Sequence, residues 1–175
     1  LLNIILKLVQ EKTILDWLID DMDVAGVIDE YVVISNHKFA HHFKAWAAEK
    51  TQKITVVDDG TCTNETRLGA VKDIQFAMDT LGIDDEMLVV AGDNLLDFSL
   101  TEFINYAKEK GTSCIMRYYE PPLQKLKKSG VVTVDDSDKI VKMAEKPEEP
   151  ESNWCSPAFY YYTREDAKCI AKGIE

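Results

Sequence analysis

The residues whose types and spacing best suit chemistry are Gly92, Asp93 and Asn94. They end an apolar run, Met87-Leu-Val-Val-Ala91, that reads as a strand buried on both faces. Open α/β sheets bind ligands outside the C-terminal ends of their strands. A bare glycine there admits a backbone or phosphate at close range. The Asp93 carboxylate offers hard oxygens to Mg²⁺, which typically takes one or two carboxylates plus substrate phosphates; the same residue can instead cap the turn after its strand. A second candidate is Thr61-Cys-Thr-Asn-Glu-Thr-Arg-Leu-Gly-Ala70, which follows a strand and opens a helix. Its free N–H groups can receive an anion or a base edge, and Gly69 permits close approach. The third is Gly130-Val-Val132, followed fifteen residues after Gly130 by Glu145-Lys146-Pro147. Taken alone, Lys146 reads as a solvated lysine near Glu148 and Glu149, and Gly130 as turn punctuation.

The elements that must position these residues follow from periodicity. Residues 12–25 form an amphipathic helix capped by Thr13, with Ile14, Leu15, Leu18, Ile19 and Met22 as its apolar stripe. Tyr31-Val-Val-Ile34 is a β-branched strand. Ser35 or Asn36 then caps a helix through about Lys50, with Phe39, Phe43, Trp46 and Ala47 inward. Ile54-Thr-Val-Val57 is the next strand and leads into the loop Asp58 to Asn64. A helix spans about Thr66 to Leu81, and another Ser99 to Lys110, with Gly111 as its C-cap. Ser113 to Tyr119 reads as a strand. This alternation indicates a parallel sheet with helices on both faces. After Pro121-Pro122 the pattern changes. Val131–Val134, Ile140–Met143 and Ala158–Tyr162 read as strands, with Asp135-Asp-Ser-Asp138 as a turn between two of them. These add antiparallel or mixed strands to a doubly wound first half.

Composition narrows the function classes. The 175 residues suffice for one domain with a sizeable core, and 46% hydrophobic with 29% charged residues is ordinary for a soluble globular chain. A net charge of −11 argues against general nucleic-acid binding and against an anionic membrane surface. An anionic small substrate would need a local basic site or a metal. No apolar run approaches the ~20 residues that span a bilayer, and the N-terminal stretch lacks a secretory pattern. Cys62, Cys114, Cys155 and Cys169 are far apart and form no C-x-x-C pair, which reads as reduced thiols and points to the cytoplasm.

The ordered set Gly92-Asp93-Asn94, Gly130-Val-Val132 and Glu145-Lys146-Pro147 resembles the sugar-phosphate nucleotidyltransferases, over essentially the whole chain. Lys12-Thr-Ile-Leu-Asp-Trp-Leu-Ile-Asp20 is similar to the segment after that family's signature loop, and Ser156-Pro-Ala-Phe-Tyr160 to its next sugar-pocket strand. The resemblance implies an α/β fold of the nucleotide-diphospho-sugar transferase type, a doubly wound, Rossmann-like mixed sheet with antiparallel strands added in the second half. It implies an NTP and a sugar 1-phosphate as partners, Mg²⁺ as cofactor, and an NDP-sugar and pyrophosphate as products. Asp93 would hold the metal, and Lys146 would neutralise and aim the attacking phosphate. Asn64, Arg67, Gly69, Gly92 and Asn94 would contact the nucleotide. Gly130, Glu145, Lys146 and Tyr160 would contact the sugar phosphate. Two departures stand out. The family's glycine-rich loop ending in Pro-Lys is absent, and its second metal-binding Asp lies beyond Glu175. Residues 1–175 are therefore expected to be a single nucleotidyltransferase domain lacking the signature loop and the C-terminal part.

Rival readings attach to particular residues. Glycosyltransferases of similar fold usually carry D-x-D at the metal position, whereas here Asn94 follows Asp93 and the next acid is Asp97. A regulatory or assembly subunit could keep the fold without catalysis, a reading motivated by the missing loop. His37 and His41 stand at i,i+4, but no third ligand is in view, so a polar helix face is the expected role. Asp58-Asp59 does not fall in the order of the acidic pair in phospho-receiver domains. Of Tyr160, Tyr161 and Tyr162, alternation allows one or two to face a ligand. Nothing in the sequence sets the oligomeric state, a homo-oligomer included.

Overall fold

The computed structural model describes residues 8–9, 11–63 and 65–173. A short hairpin of β1 (Leu8–Val9) and β2 (Lys12–Thr13) leads into helix α1 (Ile14–Asp23). Thr13 and Asp16 form a capping box. The Thr13 hydroxyl accepts from the Asp16 N–H at 3.1 Å and the Asp16 carboxylate accepts from the Thr13 N–H at 2.9 Å. Two orphaned donors are thereby satisfied at the helix start. Asp16 also accepts from Trp46 Nε1 at 3.1 Å and pairs with Lys50 at 2.6 Å, which ties α1 to the next helix.

Strands β3 (Tyr31–Ser35) and β4 (Ile54–Asp58) pair in parallel, Tyr31 opposite Ile54 through Ser35 opposite Asp58, with α2 (His37–Ala47) as the crossover. Asn36 caps α2 through the Phe39 N–H at 3.2 Å. Helix α3 (Ala70–Leu81), strand β5 (Met87–Val90) and helix α4 (Leu100–Lys110) continue the alternation. The second half contains β6 (Cys114–Ile115), β7 (Tyr118–Tyr119), the short helix α5 (Leu123–Leu126), β8 (Gly130–Val134) and β9 (Ile140–Glu145). It ends with β10 (Trp154–Ser156), β11 (Phe159–Tyr162), the single turn α6 (Arg164–Ala167) and a 3-10 turn at Ile170–Gly173.

Two antiparallel arrangements meet at the site. One sheet runs β5-β11-β6 and the other β7-β10-β8-β9. Residues 157 and 158, between β10 and β11, carry the chain from one sheet to the other. Period-2 alternation turns Leu88, Val90 and Phe159 toward α1 and α4, and Met87 and Tyr162 toward α3 and α6. Helices thus cover both faces of the β5 sheet, as a doubly wound fold requires. Asp21 of α1 locks the start of α4 by accepting from Ser99 Oγ at 3.0 Å and the Leu100 N–H at 2.5 Å. Among the described residues no helix is long and apolar enough to cross a membrane, and all four cysteines are free.

The structure departs from the sequence expectations at several places. The Met87–Ala91 run packs on both faces but is half-buried throughout rather than fully buried. The reason is lateral: among the described residues β5 has β11 on one edge and no strand on the other, and β3 pairs with β4 alone. Parallel pairing is accordingly recorded for β3 and β4, while β5 pairs antiparallel with β11. Ser113–Tyr119 is not one strand. It divides into β6 and β7, which enter different sheets, and β10 supplies a strand that periodicity did not suggest. Helix α3 starts at Ala70, not near Thr66, because Gly69 sits at φ 95° and Thr66 folds back to donate to the Thr63 carbonyl at 3.2 Å. The helices expected over 12–25 and to Lys50 also end earlier, at Asp23 and Ala47.

Candidate active site

A cavity of about 480 Å³ opens where the C-terminal end of β5 meets the antiparallel sheet. Ala91 and Asn94 enter it from the loop after β5; Lys128, Ser129 and Gly130 enter from the approach to β8. Met143, Ala144 and Glu145 come from the end of β9, and Ser156, Pro157, Ala158 and Tyr160 from the β10–β11 passage. Strand register explains the convergence. Gly130 lies opposite both Glu145 and Ser156, so the three form one row across β9, β8 and β10. The Glu145 carboxylate folds back against the bare face of Gly130, with Oε2 at 3.3 Å from where a Cβ would stand.

Four of the residues singled out in the sequence therefore line one cavity: Asn94, Gly130, Glu145 and Tyr160. Tyr160 is the cavity-facing member of its tyrosine run. Tyr161 points into the core, where burial and then the Glu86 carboxylate at 2.5 Å push its phenol pKa up. Tyr162 packs against the α3–α6 cluster.

Asp93 and Lys146 flank the cavity rather than line it. Asp93 is exposed in the turn after β5, and its Oδ1 accepts from Asn94 Nδ2 at 3.1 Å. Asn94 also donates to the Ala91 carbonyl at 3.2 Å, which folds its amide across the turn. Lys146 donates its N–H to the Ser129 carbonyl at 3.0 Å and rests its ammonium 3.1 Å from Glu145 Oε1. Both side chains of that pair are exposed, 63% and 70%, so the pair is worth little and can be exchanged for a ligand. At Gly92 the Leu15 side chain of α1 comes within 3.1 Å of where a Cβ would stand.

The Thr61–Ala70 candidate stands apart from the cavity lining. Asn64 lies outside the described residues. Arg67 is exposed and makes no ion pair among the described residues, and Gly69 is the N-cap of the twelve-residue helix α3 and offers no side-chain cap to its first N–H groups. The acids beside this loop act as turn formers. Asp58 accepts from the Gly60 N–H at 2.9 Å and meets His37 Nδ1 at 2.7 Å; these two contacts hold its carboxyl below the usual range. Asp59 accepts from the Thr61 N–H at 2.7 Å. Burial, and then the charge of Asp59, push the Asp73 carboxyl up.

Backbone strain gathers at the same cavity. Among the described residues the non-glycine positions at positive φ are Glu11, Asp138, Lys146 and Ala158. Glu11 and Asp138 are hairpin-turn residues, whereas Lys146 (φ 47°) and Ala158 (φ 60°) bracket the cavity. Such conformations cost of order 1–3 kcal/mol each and persist at ligand sites, where the surroundings over-determine them. Lys128 and Ser129 are site residues that motif reasoning passed over. A signal for Lys128 was present, since Lys125, Lys127 and Lys128 put three lysines within four residues of a strongly acidic chain.

As for a divalent metal, the donor set here is one exposed carboxylate, Asp93, with its Oδ2 uncommitted among the described residues. That fits Mg²⁺, which binds through one or two carboxylates and takes its remaining ligands from phosphates and water.

The sequence profile of the nucleotidyl transferase family matches residues 4–175. A glucose-1-phosphate adenylyltransferase of Clostridium novyi (strain NT) is 28% identical over 76 residues, 43% of this chain and 20% of that protein. The bifunctional protein GlmU of Methanocaldococcus jannaschii is 32% identical over 90 residues, 51% of this chain and 20% of that protein. The chain thus matches about a fifth of the length of these curated relatives. Among solved structures, a Bacillus anthracis chain assigned as a glucose-1-phosphate thymidylyltransferase shares the fold with a TM-score of 0.77 at 18% identity, covering 97% of this chain and 66% of that one. A UDP-glucose pyrophosphorylase does so with a TM-score of 0.73 at 15% identity, covering 97% and 71%. At such identities the likeness speaks for the fold, which is the Rossmann-like mixed sheet described above. With the profile spanning nearly its full length, the chain belongs to the nucleotidyl transferase family.

Proposed function

We propose that this chain is the catalytic core of a sugar-1-phosphate nucleotidyltransferase. The carrying observation is that residues from three separate segments, Asn94, Gly130 and Glu145, line one cavity with Tyr160. In the proposed reaction an oxygen of the sugar phosphate attacks the α-phosphorus of an NTP. The bond from that phosphorus to the bridging α–β oxygen breaks, pyrophosphate leaves, and an NDP-sugar remains. No covalent enzyme intermediate is needed, so catalysis rests on positioning and charge neutralisation.

Each residue then has a role. Asp93 holds Mg²⁺, which when bound neutralises NTP phosphate charge. Asn94 braces the turn that presents Asp93. Glu145 and the Gly130 backbone orient the sugar hydroxyls, Tyr160 walls the sugar, and Lys146 leaves Glu145 to meet the attacking phosphate. Arg67, Gly69 and the start of α3 receive the nucleotide, together with Asn64. Free thiols and nucleotide substrates suit the cytoplasm.

The test is pyrophosphate release by the full-length gene product with Mg²⁺, using the four common NTPs against glucose 1-phosphate and other hexose 1-phosphates. Turnover with one pair is expected, and Asp93→Asn should lower it by roughly a hundredfold or more, as removal of a preorganised charge does. The exposed position of Asp93 leaves the fold intact, which circular dichroism checks. Unchanged turnover in Asp93→Asn would sink the metal assignment. NTP binding without pyrophosphate release from any pair would favour the regulatory-subunit reading.

A further inference from the structure

Resting on the sugar-phosphate reading, we propose that in this protein Lys128 captures the acceptor phosphate, with Lys146 in a supporting position at the same rim. Lys128 is the one cationic residue lining the cavity among the described residues. Its ammonium makes no ion pair or hydrogen bond there; only its backbone is engaged, the N–H donating to the Lys125 carbonyl at 2.9 Å. Lys146, by contrast, is not among the lining residues and its ammonium is already spoken for by Glu145 at 3.1 Å.

The two lysines lie close together by construction. The Ser129 carbonyl that accepts the Lys146 N–H belongs to the residue directly after Lys128. They therefore stand on either side of one backbone hydrogen bond at the mouth of the cavity. A dianionic phosphate entering there meets the Glu145 carboxylate and a chain of net charge −11. An uncommitted ammonium on a flexible stem is the group that offsets this repulsion, and it needs no exchange of partners to do so. Lys146 can contribute only by giving up Glu145, which frees that carboxylate for sugar hydroxyls. Capture thus begins at Lys128 and ends with both lysines on the phosphate.

The experiment uses the full-length protein and whichever hexose 1-phosphate of the panel supports pyrophosphate release. Initial rates at saturating NTP are measured for wild type, Lys128→Gln, Lys128→Arg and Lys146→Ala. Lys128→Gln should raise the KM for the sugar phosphate about ten- to hundredfold, the loss of one charge-assisted hydrogen bond. Its kcat and its KM for NTP should stay near wild type, and Lys128→Arg should restore most of the affinity. Added salt should weaken sugar-phosphate capture in wild type more than in Lys128→Gln. A sugar-phosphate KM within twofold of wild type in Lys128→Gln overturns this inference while leaving the proposed function standing. Wild-type protein that releases pyrophosphate with no acceptor overturns both.

Discussion

At the scale of single residues, the cavity rim combines uncommitted charge with backbone strain. Ala158 sits at φ 60°, where an L-residue with a Cβ is disfavoured, and it leads into β11, whose Phe159 is fully buried at 0% exposure. That burial anchors the strained link from one side, and the β10 ladder anchors it from the other. The left-handed conformation costs about 1–2 kcal/mol for a non-glycine residue, and glycine returns about 0.4–1 kcal/mol through its looser unfolded chain. Ala158→Gly is therefore expected to stabilise the protein by up to about 1 kcal/mol, or ~2–4 °C in Tm for a chain of this size. Thermal unfolding checks it, and a lower Tm would mean that the Ala158 methyl contributes more packing than its backbone loses in strain. Motif types made Asn94, Gly130, Glu145 and Tyr160 legible from sequence, because their chemistry is written in residue identity. The lysine cluster at 125–128 was legible, but which of its members meets the cavity was not, nor was the strain at Lys146 and Ala158, because these depend on packing and dihedrals that only tertiary pairing imposes.

At the scale of elements, the contact between α1 and the end of β5 sets the position of the Gly92-Asp93-Asn94 turn. A Cβ at Gly92 would stand 3.1 Å from Leu15 Cδ2, closer than ordinary packing allows, so the glycine lets the helix seat against the turn. Asp21, farther along the same helix, holds the start of α4 through Ser99 and Leu100. The loop from 91 to 99 is thus pinned at both ends by one helix. Gly92→Ala should cost about 1–3 kcal/mol by overpacking, and should displace Asp93 enough to impair turnover. In a Leu15→Ala background the same substitution should cost much less, and a double-mutant cycle by urea denaturation measures the difference. Additive costs would show that Leu15 yields without strain. Local signals made the helices legible: Thr13, Asn36 and Ser99 cap them, Gly111 ends α4, and apolar spacing marks their inner faces. The start of α3 was misplaced because the periodicity that marks a helix says nothing about the φ of Gly69. The division of Ser113–Tyr119 escaped notice because β6 and β7 take their partners, β11 and β10, from residues some forty positions away.

At the scale of the molecule, the cavity lies between two bodies of unequal firmness. One is the eight-residue buried cluster of α1, α2, α4 and β11, extended by half-buried residues of β3, β4 and β5. The other is the antiparallel sheet, whose own buried cluster is Leu126, Val131 and Cys155. Each fully buried large apolar side chain contributes about 1.5–3 kcal/mol, so the larger cluster outweighs the smaller by more than twofold. β9, the edge strand that carries Glu145, is exposed along most of its length, with Val141 at 59% and Met143 at 48%. Few buried contacts and exposed backbone hydrogen bonds mark a segment that opens locally at low free energy. The doubly wound half would then hold the Asp93 turn rigid, while the sheet bearing Gly130, Glu145 and Lys146 adjusts around the acceptor. Native-state hydrogen exchange tests this division directly. Amides of β8 and β9 are expected to exchange faster than those of α1, α4 and the β5–β11 pair, and an accepted sugar 1-phosphate should slow exchange in β8 and β9 selectively. Protection in β8 and β9 equal to that of α4 without ligand would mean that the antiparallel sheet unfolds only with the whole molecule, and that the cavity is rigid on both sides.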